Sequence, residues 1–547
     1  MTSPAIRRWD PETALVATLA ACVSVASFLF YFRHGALLLY GDAVAHINIA
    51  RRVFDSRTPG LLQLGTVWLP LPHLLMLPFL LSDWMWRTGV GGSVPSLVAY
   101  VAGVAGIFRL VRSALSFHSE PDATVRIAAW IAAIIYGANP NLIYLQTTAM
   151  TEPLYLAAFI WAVVYFSEFV EQAADDDPRL ASSALAKCGL CLFAACWTRY
   201  DGWFLAVAMC AVAAPIALPA EHSGGRLRRG LGIFVLLAMT PPVLWLGYNA
   251  IIYRNPLEFA NGPYSARAIE QKASRAGVAP HPGANDLTTA ASYFLKSAEL
   301  NLAEGSWQKV WLVALLVGAV MSLGFLRLRP FLLLLVPLPF YMLSVAYSGV
   351  PIYLPVWWPF SYYNVRYGLE LLPVFAVFGA LAIYFGSRWL RNLAGRTAVL
   401  AAMLLVVAGS YASVWRAQPI SFREAWVNSR TRLALERELS SNLKKLPPDS
   451  TLLMYLGDHP GALQQAGIPL RRVIQEGNHR TWKQPSDPQG EWERALANPA
   501  QNADFVIAVE GDPVAAAMRS QSLFPIAEIH VNGQPAATIY QTHPPAR

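Results

Sequence analysis

The distribution of apolar and polar positions divides this chain into long uninterrupted apolar runs joined by short polar connections, and then, after residue 415, into an amphipathic stretch and short apolar segments between turn signals. Apolar stretches of membrane-spanning length fall near 13–32, 95–113, 125–142, 152–170, 182–198, 203–220, 230–250, 308–326, 330–347, 368–386 and 397–415. Crossing the hydrocarbon core takes roughly 20 such residues, so each run predicts a transmembrane helix, about eleven in all. A further run, "VWLPLPHLLMLPFLLSDWMW" at 67–86, is broken by Pro70, Pro72 and Pro78, is preceded by Pro59, and ends in Trp84 and Trp86. Proline interrupts a helix interior and tryptophan favours the membrane surface, which predicts helices lying in the interface rather than a span. These helices belong to a long first outer loop, about 33–94; two more outer loops run over about 251–307 and 348–367.

From residue 416 the pattern changes. "SFREAWVNSRTRLALERELSSNL" is an amphipathic helix, and "TLLMYLGD", "RRVIQ", "ADFVIAVEGD", "AEIHVNG" and "AATIYQ" read as strands between turn signals. In "GDHPG", Asp458 and Pro460 suit the cap and first turn of a helix ending near Gly467. The expected organisation is a polytopic α-helical membrane module, 1–415, and a small extracytoplasmic α/β domain, 416–547.

Composition supports the membrane reading: of 547 residues 55% are apolar and 14% charged, with a mean hydropathy of +0.38, too apolar for a soluble protein of this size. The net charge of +8 would suit nucleic acid, but the arginines cluster in "RLVRSALSFHSEPDATVR", "EQAADDDPRLASSALAK", "EHSGGRLRRG", "RLRP" and "SRWLRNLAGR". These are alternate connections, as the positive-inside rule requires of cytoplasmic loops. No nucleic-acid partner is expected. The first run follows Arg7 and Arg8 as a signal peptide would, yet it is as long as a span and lacks a small-x-small cleavage site, which predicts a retained helix with its amino terminus inside. Cys22, Cys188, Cys191, Cys196 and Cys210 all lie in apolar segments, so neither a disulfide framework nor a metal or redox role for the CxxC is expected.

Under this topology the unusual polar residues gather at the outer ends of the spans. "YGDAVAHINIARRVFD" places Asp42 just after the first span and His46 one helical turn on, sharing a face if the stretch is helical. Asp42 at a helix amino end would be electrostatically favoured, and would also serve simply as an N-cap. Glu152 stands at the outer entrance of the fourth span in "TTAMTEP", where an ionisable group points to function, although Thr151-Glu152-Pro153 is also a good helix start. "CWTRYDGWF" puts Arg199, Tyr200 and Asp201 in a tight outer hairpin, and "VRYGLELLP" puts Arg366 and Tyr367 at the mouth of the tenth span. Arginine suits a lipid phosphate, and Arg51 and Arg52 would serve the same end or form a solvated face. Together these residues describe transfer of a group from a lipid phosphate to a hydroxyl: a carboxylate takes the acceptor proton and arginines stabilise the departing phosphate.

This arrangement resembles the C-superfamily (GT-C) of membrane glycosyltransferases, in particular the polyprenyl-phosphate-sugar-dependent enzymes related to protein O-mannosyltransferases and the aminoarabinose transferase. The resemblance covers about residues 10–415 and rests on "YGDAVAHINIARRVFD", "TTAMTEP", "RYDGW" and "VRYGLELLP". It implies a sugar transferase using a polyprenyl-phosphate monosaccharide, with Asp42 as general base and Glu152 positioning or sharing that role. Arg199 and Arg366 would bind the donor phosphate; His46, Arg51, Arg52, Tyr200, Asp201 and Tyr367 would complete the substrate site. Many relatives carry two adjacent acids in the first loop, whereas Asp42 is followed by Ala43, so no metal cofactor is expected. The acceptor would be a glycan, lipid or protein, and the setting a prokaryotic cytoplasmic membrane. A ligase for a lipid-linked glycan, a transporter or flippase of a lipid-linked substrate, and a non-catalytic relative are the alternatives.

Overall fold

The computed structural model describes residues 11–116, 123–219, 225–273, 279–390, 393–479 and 489–543. Arg7 and Arg8, and parts of the arginine-bearing connections near 117–122, 220–224 and 391–392, lie outside the described residues.

A helix meets every predicted span. In chain order the membrane module contains α1 (Pro11–Arg33), α2 (Gly41–Arg52), α3 (Leu71–Leu80), α4 (Asp83–Thr88), α5 (Val90–Leu115), α6 (Ala123–Gly137), α7 (Pro140–Leu145) and α8 (Glu152–Ala174). It continues with α9 (Pro178–Cys196), α10 (Asp201–Ala217), α11 (Arg226–Tyr253), α12 (Glu258–Asn261), α13 (Ala266–Ala273), α14 (Leu287–Leu302), α15 (Trp307–Gly324), α16 (Pro337–Tyr347), α17 (Leu372–Trp389) and α18 (Leu393–Ala417). Tight 3-10 segments, Leu326–Leu335 and Val365–Leu371, lead into α16 and α17. Among the described residues nine segments have both the length and the apolarity of a span; α6 and α10 are shorter. The chain is a multi-pass membrane protein. In the most apolar window of 365–389, 89% of residues are buried, against 22% in α1 and α15. That contrast puts α17 at the centre of the bundle and leaves Val25 and Phe30 of α1 and Val313, Leu316 and Val320 of α15 for lipid contact.

The 67–86 run is not a span. It forms two short helices: α3, which follows Pro70 and has Pro72 in its first turn and Pro78 inside, and α4, which starts after Ser82, whose hydroxyl accepts from the Met85 N–H. Leu75, Leu81 and Trp84 stay exposed while His73, Met76 and Leu80 are buried, so each helix is buried on one side only.

Beyond α18, Pro419 precedes α19 (Ile420–Leu443). The strands β1 (Leu452–Met454), β2 (Val473–Ile474), β3 (Phe505–Val509), β4 (Phe524–Ile529) and β5 (Ala537–Gln541) follow. They form one sheet in the order β2-β1-β3-β5-β4, β1 parallel to β2 and β3, β5 antiparallel to β3 and β4. β1 and β3 are buried on both faces, and successive side chains join opposite cores: Leu452, Met454, Phe505 and Ile507 join the main core, while Leu453, Val506 and Ala508 pack with Trp492, Ala495 and Met518 in a second one. The main core therefore runs without a break from the helix bundle into the sheet. The short helix Gly461–Ala466 ends on Gly467 at φ +74° as expected, but Asp458 does not cap it. Pro460, already at helical φ, occupies the cap position, and the carbonyls of His459 and Pro460 accept from Ala462 and Gln464 instead.

Candidate functional site

Five chain segments bring their polar residues together, the fifth being α19 with Glu424. Asp42 is the second residue of α2. The helix starts on Tyr40 without a side-chain cap, so Asp42 is not an N-cap and its carboxylate is directed elsewhere. Glu152 opens α8, followed by Pro153 where the missing N–H costs nothing. Arg199 and Asp201 flank the α9–α10 turn, kept tight by Gly202, whose added Cβ would lie 2.7 Å from the Ala195 carbonyl. Arg366 lies in the 3-10 segment after Asn364, whose left-handed φ of +57° turns the chain inward.

Arg366 is the hub. Its Nη2 donates to Asp42 Oδ2 at 2.6 Å, its Nε to Glu152 Oε1 at 3.0 Å and its Nη1 to Glu424 Oε1 at 2.9 Å. Glu152 and Glu424 are buried, whereas the Asp42 side chain is 43% exposed. Arg199 lies beside it: Nη1 is 3.3 Å from the same Glu152 Oε1, Nε 3.3 Å from Asp201 Oδ2 and 3.5 Å from Glu370 Oε1. Its remaining donors reach the Tyr341 hydroxyl at 2.6 Å and Thr151 Oγ1 at 3.2 Å. Tyr367 is the plate between the two cations, its ring centroid 5.0 Å from Arg366 Cζ and 5.2 Å from Arg199 Cζ. Tyr40 covers the other side of Arg366 at 5.0 Å, and burial, then the Glu424 carboxylate, raises its pKa well above that of a free phenol.

Five carboxylates thus surround two guanidiniums. Glu152 Oε2, Asp201 Oδ1, both oxygens of Glu370 and the Tyr155 hydroxyl are buried without a hydrogen-bond partner among the described residues. Buried acceptors of this kind are available to ligand hydroxyls or water.

His46 lies close by, but its Nδ1 is 2.9 Å from His73 Nε2 and its ring lies against Trp68. Burial, then the Arg366 and Arg199 charges, lowers the His46 pKa to about 3, and burial lowers that of His73 well below normal. Both imidazoles are neutral near pH 7. Three predicted contacts fall outside the cluster. Arg51 is buried against Asp55 (2.8 Å), the Leu80 carbonyl (2.5 Å) and Asp83 (2.6 Å), which uses its whole donor fork within the first loop. Arg52 donates to Gln475 at 2.6 Å and Glu476 at 3.1 Å of the C-terminal domain. Tyr200 donates to the Val67 carbonyl at 2.9 Å, accepts from Trp245 at 3.1 Å and stacks on Phe259. These three residues hold the first loop against its neighbours. Sequence reasoning in turn missed Glu370 and Glu424. Glu370 carried a usable signal, an acid inside an apolar span; Glu424 carried none, since charges on an amphipathic helix are ordinarily solvated.

The described residues include no group of three or more His, Cys, Asp and Glu side chains arranged to hold a metal ion. All five cysteines are free.

No family model matches this chain, and no curated protein matches its sequence. Solved structures do match in fold. ArnT from Cupriavidus metallidurans, bound to undecaprenyl phosphate, superposes with a TM-score of 0.59 over 97% of this chain and 98% of its own, at 13% identity. The apo oligosaccharyltransferase of Archaeoglobus fulgidus gives 0.49 over 93% of this chain and 70% of its own, at 14% identity. AglB of the same organism, with an inhibitory peptide and a dolichol-phosphate, gives 0.48 over 98% and 74%, at 13% identity. The ArnT likeness spans both chains nearly end to end, so this chain shares the fold of that protein along almost its whole length, C-terminal region included.

Proposed function

We propose that this chain is a glycosyltransferase that takes a monosaccharide from a polyprenyl-phosphate donor and passes it to an acceptor hydroxyl at the outer face of a membrane. The observation that carries this reading is the pair at the open edge of the cluster: Asp42, the half-exposed carboxylate, 2.6 Å from Arg366, a cation otherwise enclosed by protein. A base able to meet an acceptor thus adjoins a fixed cation able to meet a phosphate, on a fold shared with a protein solved with undecaprenyl phosphate bound.

In the reaction the acceptor hydroxyl gives its proton to Asp42 as its oxygen bonds to the sugar anomeric carbon. The bond from that carbon to the phosphate oxygen breaks, and the electron pair leaves with polyprenyl phosphate. Arg366 and Arg199 stabilise the charge gathering there, so the leaving group needs little acid assistance. Glu152, shared by both guanidiniums through one oxygen, fixes their spacing. Tyr367 keeps them apart, and His46 borders the pocket as a neutral wall. The two arginines supply the positive charge that a divalent cation would otherwise bring, so the mechanism takes no metal. The polar groups gather at one end of the spans and not at mid-membrane, which favours this reading over a transporter. The cluster end and the C-terminal domain face outward and the amino terminus lies inside, in a prokaryotic cytoplasmic membrane.

The test is binding of undecaprenyl phosphate, against undecaprenol, to the purified protein. Saturable binding of the phosphate that is weakened in Arg366→Lys and Arg199→Lys is expected, because a point charge cannot reproduce the guanidinium fork. Equal binding of the alcohol and the phosphate contradicts the reading.

A further inference from the structure

We infer that the first turns of α19 complete the site, with Glu424 as a positioning residue that sets Arg366 against Asp42. The inference rests on the function proposed above.

Asp42 and Arg366 are 324 residues apart in sequence; Asp42 lies in the first turn of α2, just after the 34–40 link, and Arg366 in the 3-10 segment before α17, so something must fix the distance between them. The structure shows α19 holding both segments. On the Arg366 side, Glu424 accepts from three donors at once: the backbone N–H of Asn364 at 3.2 Å, that of Val365 at 2.7 Å and Arg366 Nη1 at 2.9 Å. On the Asp42 side, the Ser421 carbonyl accepts from the Tyr40 hydroxyl at 2.7 Å, and Arg432 Nη2 donates to the Leu38 and Leu39 carbonyls at 2.9 and 3.0 Å.

The clamp is itself pinned. Ser421 N donates to Asn141 Oδ1 at 2.9 Å and Ser421 Oγ to Asn301 Oδ1 at 3.2 Å, while Asn301 Nδ2 reaches the Val365 carbonyl at 2.7 Å. At its far end α19 packs on the C-terminal domain, where Glu436 accepts from Gln465 at 3.2 Å. The α19 helix therefore belongs to the site as much as to the domain it begins.

Glu424 opposes phosphate binding by its charge, so its contribution is geometric. Glu424→Gln removes the charge-assisted hold and keeps the side-chain shape. Binding of undecaprenyl phosphate should then be equal or tighter, whereas sugar turnover should fall about 10²-fold, the usual effect of a misplacement of about 1 Å. Tyr40→Phe, which releases the other segment, should lower turnover with the same sparing of phosphate binding. An independent readout is phenylglyoxal labelling of Arg366 in the full-length detergent-solubilised protein, followed by mass spectrometry, with Arg51 as internal control. Faster labelling of Arg366 in Glu424→Gln, with Arg51 unchanged, supports the clamp. Equal labelling, or wild-type turnover in a folded Glu424→Gln, overturns it. Failure of the wild type to bind undecaprenyl phosphate would overturn the proposed function instead, and the labelling would still decide whether Glu424 holds Arg366.

Discussion

Replacing Arg366 with glutamine leaves Asp42, Glu152 and Glu424 without their shared cation, and the three differ in what that costs. Asp42 is half exposed, so water takes over much of the lost interaction. Glu152 and Glu424 have side chains only 1% and 2% exposed, and removing the partner of a buried charge costs about 3–5 kcal/mol. Neither is left wholly bare: Glu152 keeps Arg199 at 3.3 Å and Glu424 keeps its two backbone donors. The expected loss for Arg366→Gln is therefore about 3–5 kcal/mol in total rather than twice that. Because this is a large part of the net stability of a typical fold, the companion variant is Arg366→Lys, which keeps a charge but reaches fewer carboxylates. In the double variant Arg366→Gln/Glu424→Gln the buried acid is gone, and about 1–3 kcal/mol should return as a favourable coupling. The assay is thermal and denaturant unfolding of the detergent-solubilised proteins. If the two single losses simply add, or if Arg366→Gln matches the wild type, Arg366 does not neutralise these acids.

Other regions give independent checks. Arg51→Ala breaks a buried pair and should destabilise by about 3–5 kcal/mol while leaving the affinity for undecaprenyl phosphate unchanged, since Arg51 is bonded to Asp55 and Asp83 and not to the cluster. Gly368→Ala puts a Cβ 2.3 Å from the Ser297 backbone; neither backbone can yield cheaply, so stability should drop by at least about 1–3 kcal/mol and phosphate binding should weaken as the Arg366 segment shifts. His46, with a pKa near 3 in the fold, makes stability fall as pH drops. The unfolded chain takes up a proton near pH 6.5 and the folded one does not, so the contribution is intact above about pH 6.5 and costs about 2 kcal/mol by pH 5. Unfolding of His46→Gln followed from pH 7.5 to 5 should show a shallower slope, and an unchanged slope would mean that His46 is not held neutral.

The membrane module was legible because its signal is local. Each span is a run of apolar residues, and the prolines of 67–86 set that run apart from the spans; it forms helices of only 10 and 6 residues. The strands were legible for the same reason: β1 and β3 are short apolar runs between turn signals, and both of their faces are buried. The site was legible in part. Asp42, Glu152, Arg199, Asp201, Arg366 and Tyr367 stand out as polar groups at the ends of apolar runs, and the structure brings them together. Arg51, Arg52 and Tyr200 look the same in sequence, but which way each side chain points depends on partners in distant segments such as Asp83, Gln475 and Val67. Glu424 was hidden for the converse reason: its surroundings on α19 are polar, and its burial arises only when Asn364 and Arg366 pack against it.

The measurement that tests the central claim most directly is sugar release from a panel of radiolabelled polyprenyl-phosphate monosaccharides by the purified wild type and Asp42→Asn, each with and without chelator. The account predicts that the wild type turns over at least one donor, that chelation leaves the rate unchanged, and that the folded Asp42→Asn protein binds undecaprenyl phosphate but releases no sugar above background. Equal turnover by Asp42→Asn, or no release of any donor by a wild type supplied with acceptor-bearing membranes, would contradict it.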